Sequence, residues 1–340
     1  SLCPVRCCLV YAVRAHWLFA RHCAPLAHTL AMPDLRTIRY VQEKLCTWYR
    51  EYGRDLPWRR TRDPYAILVS EIMLQQTQVD RVIPKYHTFL KTFPTFRELA
   101  KASRAKVIHL WVGLGYNSRA VRLHELATTV AECHKGRLPR ELKQLEALPG
   151  IGPYTARAVR SFAYHEQETV QDTNIRRVLA RLYFGKNPSA VAKRILEHTM
   201  VKTELPGKSS MWYQSLMDFG ALVCTSAAPK CTQCPLRSVC TAYPTIREKG
   251  VQGLQGRVVT YAQSRFKGSH RYWRGKIVAM LCAQKSGRSL NIATLHKRLE
   301  NAKGSQNDLW LQDLLGELQR DGLITLNGRQ KSCWRIKLAR

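Results

Sequence analysis

Apolar residues recur at helical spacing through most of this chain. From Asp34 to about Tyr243 the pattern is helical almost throughout, and Val107, Ile108, Trp111 and Val112 show the i, i+1, i+4, i+5 spacing that turns one helix face into a core. Breakers punctuate it at short intervals: Pro57, Pro64, Pro84, Pro94, Gly113 and Gly115, Pro139, Pro149, Pro188 and Pro206. Pattern and punctuation together predict about ten short helices here, with few or no strands. No internal repeat is evident.

The pattern changes past residue 243. "EKGVQGLQGR" (Glu248–Arg257) is Gly-rich, apolar-poor and unpatterned, and reads as a linker. Beyond it, Tyr272–Gln284, Ile292–Glu300 and Leu309–Asp321 are helix candidates, the last stopped by Gly322. Then "LITLNGRQKSCWRIKL" presents two β-rich runs around Asn327–Gly328, a strong hairpin-turn signal. Three helices and a terminal hairpin predict a small winged-helix-like α/β domain.

With 340 residues there is room for two domains and a small third, and a hydrophobic fraction of 45% supports a real core. Charge changes the picture more. Lys and Arg number 55 against 24 Asp and Glu, a formal charge of +31 that points to a polyanionic partner, nucleic acid ahead of an anionic membrane surface. No apolar run of about 18 residues occurs, so no membrane span is predicted. The opening segment stands apart: it has no acid before Asp34 and holds four of the twelve cysteines. Arg14, His16 and Arg21 break the apolar core a signal peptide needs. A transit peptide fits the Arg-rich, acid-poor composition, and organelle targeting stays open. The favoured reading is upstream sequence ahead of a start at Met32, with residues 1–31 a disordered or non-native extension outside the fold.

Cys224, Cys231, Cys234 and Cys240 form C-x6-C-x2-C-x5-C within seventeen residues. Four thiolates this close can wrap one cluster, whereas zinc more often takes two CxxC pairs across a longer loop. Disulfides do not suit a basic, nucleic-acid-type chain without a secretion signal. A [4Fe–4S] cluster is the expectation, and Cys46, Cys133 and Cys282 read as isolated core or surface residues. In "LPGIGPYTARAV" (Leu148–Val159), Gly150 and Gly152 stand immediately before a helical run. A tight Gly-rich hairpin there points backbone N–H groups outward at a helix N-terminus, where they bind phosphate and a Cβ would obstruct the approach. An ordinary helix–helix turn is the plain alternative; the charge and the cysteines favour phosphate. Asp172, in "VQDTNIRRVLARLY", sits where a helix N-cap belongs. An acid facing a DNA-binding surface is costly to affinity unless it is used.

The hairpin, the Asp after it and the four-Cys loop resemble the helix-hairpin-helix DNA glycosylase superfamily. "LPWRRTRDPYAILVSEIMLQQTQVDRVIPKY" (Leu56–Tyr86) and "WVGLGYNSRAVRLHELA" (Trp111–Ala127) narrow the resemblance to the MutY-type adenine DNA glycosylases, over about Asp34–Tyr243. The resemblance implies a mainly α, two-lobed helix-hairpin-helix DNA glycosylase fold. Residues 32–58 plus 166–243 would form the helical lobe with the [4Fe–4S] cluster loop. Residues 59–165 would form the six-helix lobe with the hairpin, 244–264 a linker, and 265–340 the winged-helix-like domain. The family removes adenine mispaired with 8-oxoguanine or guanine, after flipping it from the duplex. Adenine leaves poorly until a ring nitrogen is protonated, and the sugar left behind has oxocarbenium character, so two carboxylates with different roles are expected.

By resemblance, Glu71 in "SEIMLQQ" is the acid that protonates N7, and Asp172 stabilises the sugar cation. Glu71 lies in an apolar helix, where desolvation should raise its pKa; a surface glutamate is the plain alternative. Tyr154 stands where lyase-active relatives such as endonuclease III carry a Schiff-base lysine, and helps position the Asp, which implies a monofunctional glycosylase. Gln76 and Thr77 match residues placed in the duplex gap near the opposite base. Leu114 and Tyr116 match a wedge against the orphaned purine, with ordinary core packing as the alternative. Trp58, Arg59 and Gln214 match the adenine pocket. Leu148, Gly150 and Gly152 belong to the DNA-binding hairpin, Asn174 to the DNA-facing segment beside Asp172, and the four cysteines to the cluster. The implied partner is double-stranded DNA carrying an A:8-oxoguanine or A:G mismatch, bound by a monomer with no membrane association, in the cytoplasm at the nucleoid.

One departure is visible: many members end in a Nudix-like β domain, whereas the part beyond Gly250 looks like a short winged helix, led in by "RFKGSHRYWRGKIV" (Arg265–Val278). The degree of 8-oxoguanine preference therefore stays open. Two rival functions compete with the adenine reading. A thymine or uracil mismatch glycosylase could share Tyr154, Asp172 and the cluster, but thymine offers no N7 to protonate. A non-catalytic DNA-binding regulator would not need Glu71 and Asp172 together.

Overall fold

In the computed structural model the described residues are 33–258, 266–284, 288–303, 308–328 and 334–339. The expected extension at residues 1–31 lies outside them. The elements run α1 (Leu35–Tyr52), α2 (Pro64–Leu74), α3 (Val79–Thr92), α4 (Phe96–Lys101), α5 (Arg104–Trp111), α6 (Ser118–Cys133), α7 (Leu142–Glu146), α8 (Pro153–Ala163), α9 (Thr173–Phe184), α10 (Lys193–Thr203), α11 (Ser209–Leu222) and α12 (Tyr243–Lys249). They continue with α13 (His270–Cys282), β1 (Leu290–Asn291), α14 (Ile292–Lys303), α15 (Asp308–Arg320), β2 (Ile324–Asn327) and β3 (Arg335–Leu338). No strand occurs among the described residues before β1.

Local chemistry sets the helix starts. Asp34 caps α1 by accepting from the Arg36 and Thr37 N–H groups, and Asp63 caps α2 with Pro64 in its first turn. Every residue of α2 from Tyr65 to Met73 is buried, so this helix is the axis of the molecule rather than an amphipathic face. α3 and α8 pack on it, and α4 and α5 pack on α6. α1 crosses over to pack on α11, which also packs on α9. This gives two lobes that share one apolar core. The expected face of α5 is met at Val107, Ile108 and Trp111. Val112, the half-buried cap past Trp111, packs with Ile108 toward the C-terminal module, so the expected single face divides between two cores.

A second core gathers Trp273, Ile277, Leu295, Leu314, Leu318 and Ile336 of the C-terminal module. It also includes Ile108 of α5 and Val121 of α6. Arg274 of α13 bridges Glu317 and Asp321 at the α15 end, fixing these helices together. The sheet order is β1-β3-β2, all antiparallel. The winged-helix expectation thus stands, with β1 as an added strand. The hairpin differs in detail: Asn327 pairs with Arg335, so Asn327 is a strand residue and not part of a tight Asn-Gly turn.

The expected linker is also corrected. Residues 248–257 are not a free tether: α12 runs into them, Val251 and Leu254 are buried, and buried Asn187 donates to the Val251 and Gly256 carbonyls. The Asn187 N–H in turn bonds the Gln255 carbonyl at 2.9 Å. Two apolar anchors and these hydrogen bonds strap the segment to the lobe built on α9.

Candidate active site

Between the lobes lies a cavity of about 350 Å³, within the usual range for small-molecule sites. Its wall brings together Trp58, Arg59, Glu71, Thr77, Tyr154, Asp172, Asn174 and Gln214, residues scattered over more than 150 positions of sequence. α2 delivers Glu71 from its last turns, α8 delivers Tyr154 from its first, and α9 presents Asp172 as its N-cap.

Glu71 is 8% exposed. Burial pushes its carboxyl up to about 7; the Tyr154 hydroxyl, bonded to it, and the Arg59 charge oppose the rise, while the Asp172 charge adds to it. Asp172 accepts the Ile175 N–H at 2.6 Å and the Asn174 side-chain amide at 2.8 Å. Burial raises its pKa, against these two hydrogen bonds and the nearby Arg177. Both its oxygens accept hydrogen bonds, which suits the ionised form. Two carboxyl groups in one cavity, one kept neutral by an apolar wall and the other supplied with donors, are the arrangement expected of an acid and an anion with separate tasks.

Asp172 is wired outward. The Asn174 carbonyl oxygen accepts from Arg177 at 2.7 Å, and Arg177 also donates to the Cys224 carbonyl at 2.8 Å. Gly220 lets α11 come in: a Cβ there would lie 2.6 Å from the Asn174 Cβ. Opposite, Arg59 is held by Asp218, which is fully buried and takes two hydrogen bonds from it at 2.6 and 2.8 Å. Arg54 completes the cluster. Burial works against the Asp218 charge, yet the two arginines hold its pKa below the usual carboxylate value. Asp218 was missed by sequence reasoning, although it is the one acid in the apolar stretch "SSMWYQSLMDFGAL". Gln214 accepts from the Tyr49 hydroxyl at 3.0 Å, and Trp58 packs edge-on against Tyr86.

The remaining predicted site residues lie outside the cavity wall. Gln76 is exposed with φ +54°, and Tyr116 is 38% exposed with φ +46°. Leu114, expected as a wedge, is buried at 3%. Arg119, a second residue that sequence reasoning missed, is buried between these segments. Its guanidinium donates to the carbonyls of Ile72, Met73, Gln75 and Gly115 and to the Thr77 hydroxyl. With Arg122 three residues on in the same helix, nothing in the sequence singles Arg119 out for that role.

In the hairpin between α7 and α8, Gly150 has φ +78°, a conformation costly for any other residue. Gly152 has φ −99°, and a Cβ there would meet no protein atom. Nothing inside the protein demands a glycine at this helix N-terminus, so any demand comes from outside. The Leu148 side chain is buried and shapes the hairpin from within.

Cys224, Cys231, Cys234 and Cys240 line one cavity beside α9. Arg181, fully buried, fixes their loop by donating to the Thr225 and Ser226 carbonyls at 2.7 Å. Burial pushes the Cys234 thiol up to about 12 and Cys240 up to about 11, so thiolates gathered here need a cation between them. Among the described residues, no three His, Cys, Asp or Glu side chains form a ready site for a single metal ion. No helix among these residues is long and apolar enough to cross a membrane.

A hairpin set before a carboxylate-lined pocket, in a helical two-lobed frame, defines a base-excision enzyme of the helix-hairpin-helix class. The family described as "HhH-GPD superfamily base excision DNA repair protein" matches residues 69–200. The chain is 41% identical to the adenine DNA glycosylase of Mycobacterium tuberculosis, over 62% of this chain and 71% of that protein. It is also 41% identical to the one from Mycolicibacterium smegmatis, over 70% and 79%. With the human adenine DNA glycosylase it shares 40% identity over 64% of this chain and 42% of that protein. A thermostable thymine-DNA glycosylase superposes with a TM-score of 0.57 at 32% identity, covering 62% of this chain and 97% of that one. An endonuclease III–DNA complex has a TM-score of 0.56 at 23% identity, over 64% of this chain and 100% of that one, which speaks for the fold alone. The chain belongs to the adenine DNA glycosylase family, and its enzymology is that of a DNA-binding base-excision glycosylase.

Proposed function

We propose that the protein removes adenine mispaired with 8-oxoguanine or guanine. The observation that carries this reading is the Glu71–Asp172 pair in one cavity, with the Glu71 carboxyl raised by burial to about 7, so that a large share keeps its proton near neutral pH. The flipped adenine enters between Trp58 and the Tyr154 side. Glu71 gives its proton to N7, the C1′–N9 bond breaks with its electron pair leaving on the base, and the Asp172 carboxylate faces the sugar cation. A water then adds to C1′, and the Glu71 carboxylate, now empty, accepts the water's proton. Adenine and an abasic site result, and Glu71 is restored. Tyr154 has no amine, so no Schiff base forms and the strand stays intact.

Cys224, Cys231, Cys234 and Cys240 would hold a [4Fe–4S] cluster, a reading supported by their all-thiol donor set around one cavity. When bound, such a group supplies the iron that makes four half-buried thiolates stable together. The residues around it are set for position: Arg177 and Arg181 tie the loop to α9, the helix that bears Asp172.

The deciding experiment offers duplexes with adenine, 7-deazaadenine, thymine or uracil opposite guanine or 8-oxoguanine, followed by alkali. Adenine is released, while 7-deazaadenine, lacking the N7 lone pair, binds and resists. Release of thymine or uracil with adenine ignored would refute the proposal in favour of the mismatch glycosylase reading.

A further inference from the structure

Beside the cavity, two backbone segments sit in the left-handed region without glycine, at Gln76 and Tyr116. Such residues persist where their surroundings over-determine them. Arg119 does this for the backbone of both segments. The Tyr116 side chain has a different keeper, which comes from the C-terminal module. Arg271, in the first turn of α13, donates from Nη1 to the Tyr116 hydroxyl at 2.6 Å. Its guanidinium lies 5.8 Å from the centre of the same ring, and that of Arg119 lies 5.7 Å from it.

Arg271 is not what docks α13. That helix is seated by Trp273, Ile277 and Val278 in the second core, its ion pairs to Glu317 and Asp321 are made by Arg274, and the His270 ring lies 3.4 Å from Glu317. Arg271 instead reaches out of the module to the one half-open aromatic of the segment between α5 and α6. A planar guanidinium that both bonds the hydroxyl and lies near the ring fixes the tyrosine more tightly than a point charge would. A phenol accepting from Arg271 also keeps its own proton free to donate outward.

We propose that Arg271 is a positioning residue of the element that reads the base opposite the excised adenine. It sets the Tyr116 ring in the duplex gap with its hydroxyl proton turned toward that base. 8-Oxoguanine carries an acceptor oxygen at C8 where guanine carries only C–H, so a fixed donor favours the oxidised base. The inference rests on the adenine reading above and deepens it: the C-terminal module acts on specificity through a single side chain.

The test measures single-turnover adenine excision opposite 8-oxoguanine and opposite guanine. It compares the full-length unaltered protein with R271A, R271K, Y116F and the R271A/Y116F double variant. The ratio of the two rates should fall about fivefold in R271A and in Y116F, and no further in the double variant, because both remove one hydrogen bond. 2-Aminopurine placed next to the opposite base should brighten on binding the unaltered protein and less so with R271A, reporting a ring that no longer holds its place. An unchanged ratio in R271A, full restoration by R271K, or multiplied losses in the double variant would overturn the proposal. Failure of the unaltered protein to release adenine at all would instead overturn the reading beneath it.

Discussion

Replacing Glu71 by glutamine separates what this residue costs the fold from what it does in catalysis. The carboxyl is raised from its ordinary 4.5 to about 7, chiefly by burial. The folded protein therefore binds this proton more tightly than the unfolded chain does. On this group alone, stability is greatest below about pH 4.5 and is lost progressively as pH rises through about 7. At about 1.4 kcal/mol per tenfold change in proton affinity, the full loss is about 3 kcal/mol, of which about 2 kcal/mol falls between pH 5.5 and 8. Glutamine is neutral throughout and keeps an oxygen to accept from Tyr154. Paired thermal melts of the two proteins at those pH values should show E71Q gaining on the unaltered protein by several degrees at the higher pH. Single-turnover excision should move the opposite way: it declines above about pH 7 in the unaltered protein and is nearly absent in E71Q. A melting difference that stays flat or reverses between the two pH values would refute the reasoning about burial. Full activity of E71Q would refute its role as the acid.

Asp172→Asn keeps the shape but removes the charge facing the sugar, and should slow excision by about 10²–10³ while mismatch binding survives; unaltered rates would remove Asp172 from the mechanism. Gly152→Val has room within the protein, so it should melt as the unaltered protein does yet bind matched and mismatched duplexes less tightly alike; a loss confined to mismatches would mean the hairpin reads bases. Binding should weaken with salt at a slope of about −0.9 per phosphate contact, and a slope near zero would remove the electrostatic account of the +31 charge. Cys231→Ser should cost the purified protein the brown colour and iron content expected of a thiolate-held cluster; a colourless unaltered protein carrying one zinc would sink that assignment.

What the sequence made legible is what local chemistry encodes. The cap at Asp172, the apolar length of α2 and the glycines before α8 are short-range signals, and they place Asp172, Glu71 and Tyr154 on their elements. What it hid depends on partners far along the chain. Asp218 is an acid in an apolar helix until Arg54 and Arg59, some 160 positions away, come to it. Arg119 gains its meaning only when six backbone oxygens from two segments surround it. Residues 248–257 look like a tether because Gly and Gln dominate them, while two apolar side chains and a buried Asn are enough to fasten them. Asn327 shows the same limit: a turn-forming dipeptide was overruled by the strand register.

Ile108 and Val121 belong to the second core although they lie on helices of the catalytic lobe. The boundary drawn along the chain is thus not a boundary in the packing. A version cut after Arg257 would leave an apolar scar on α5 and α6, and any loss of activity in it would mix the missing module with an exposed surface. A chimera that grafts another reader onto this enzyme inherits the same obligation: the incoming domain must refill the space around Ile108 and Val121, or those two positions must be rewritten as surface.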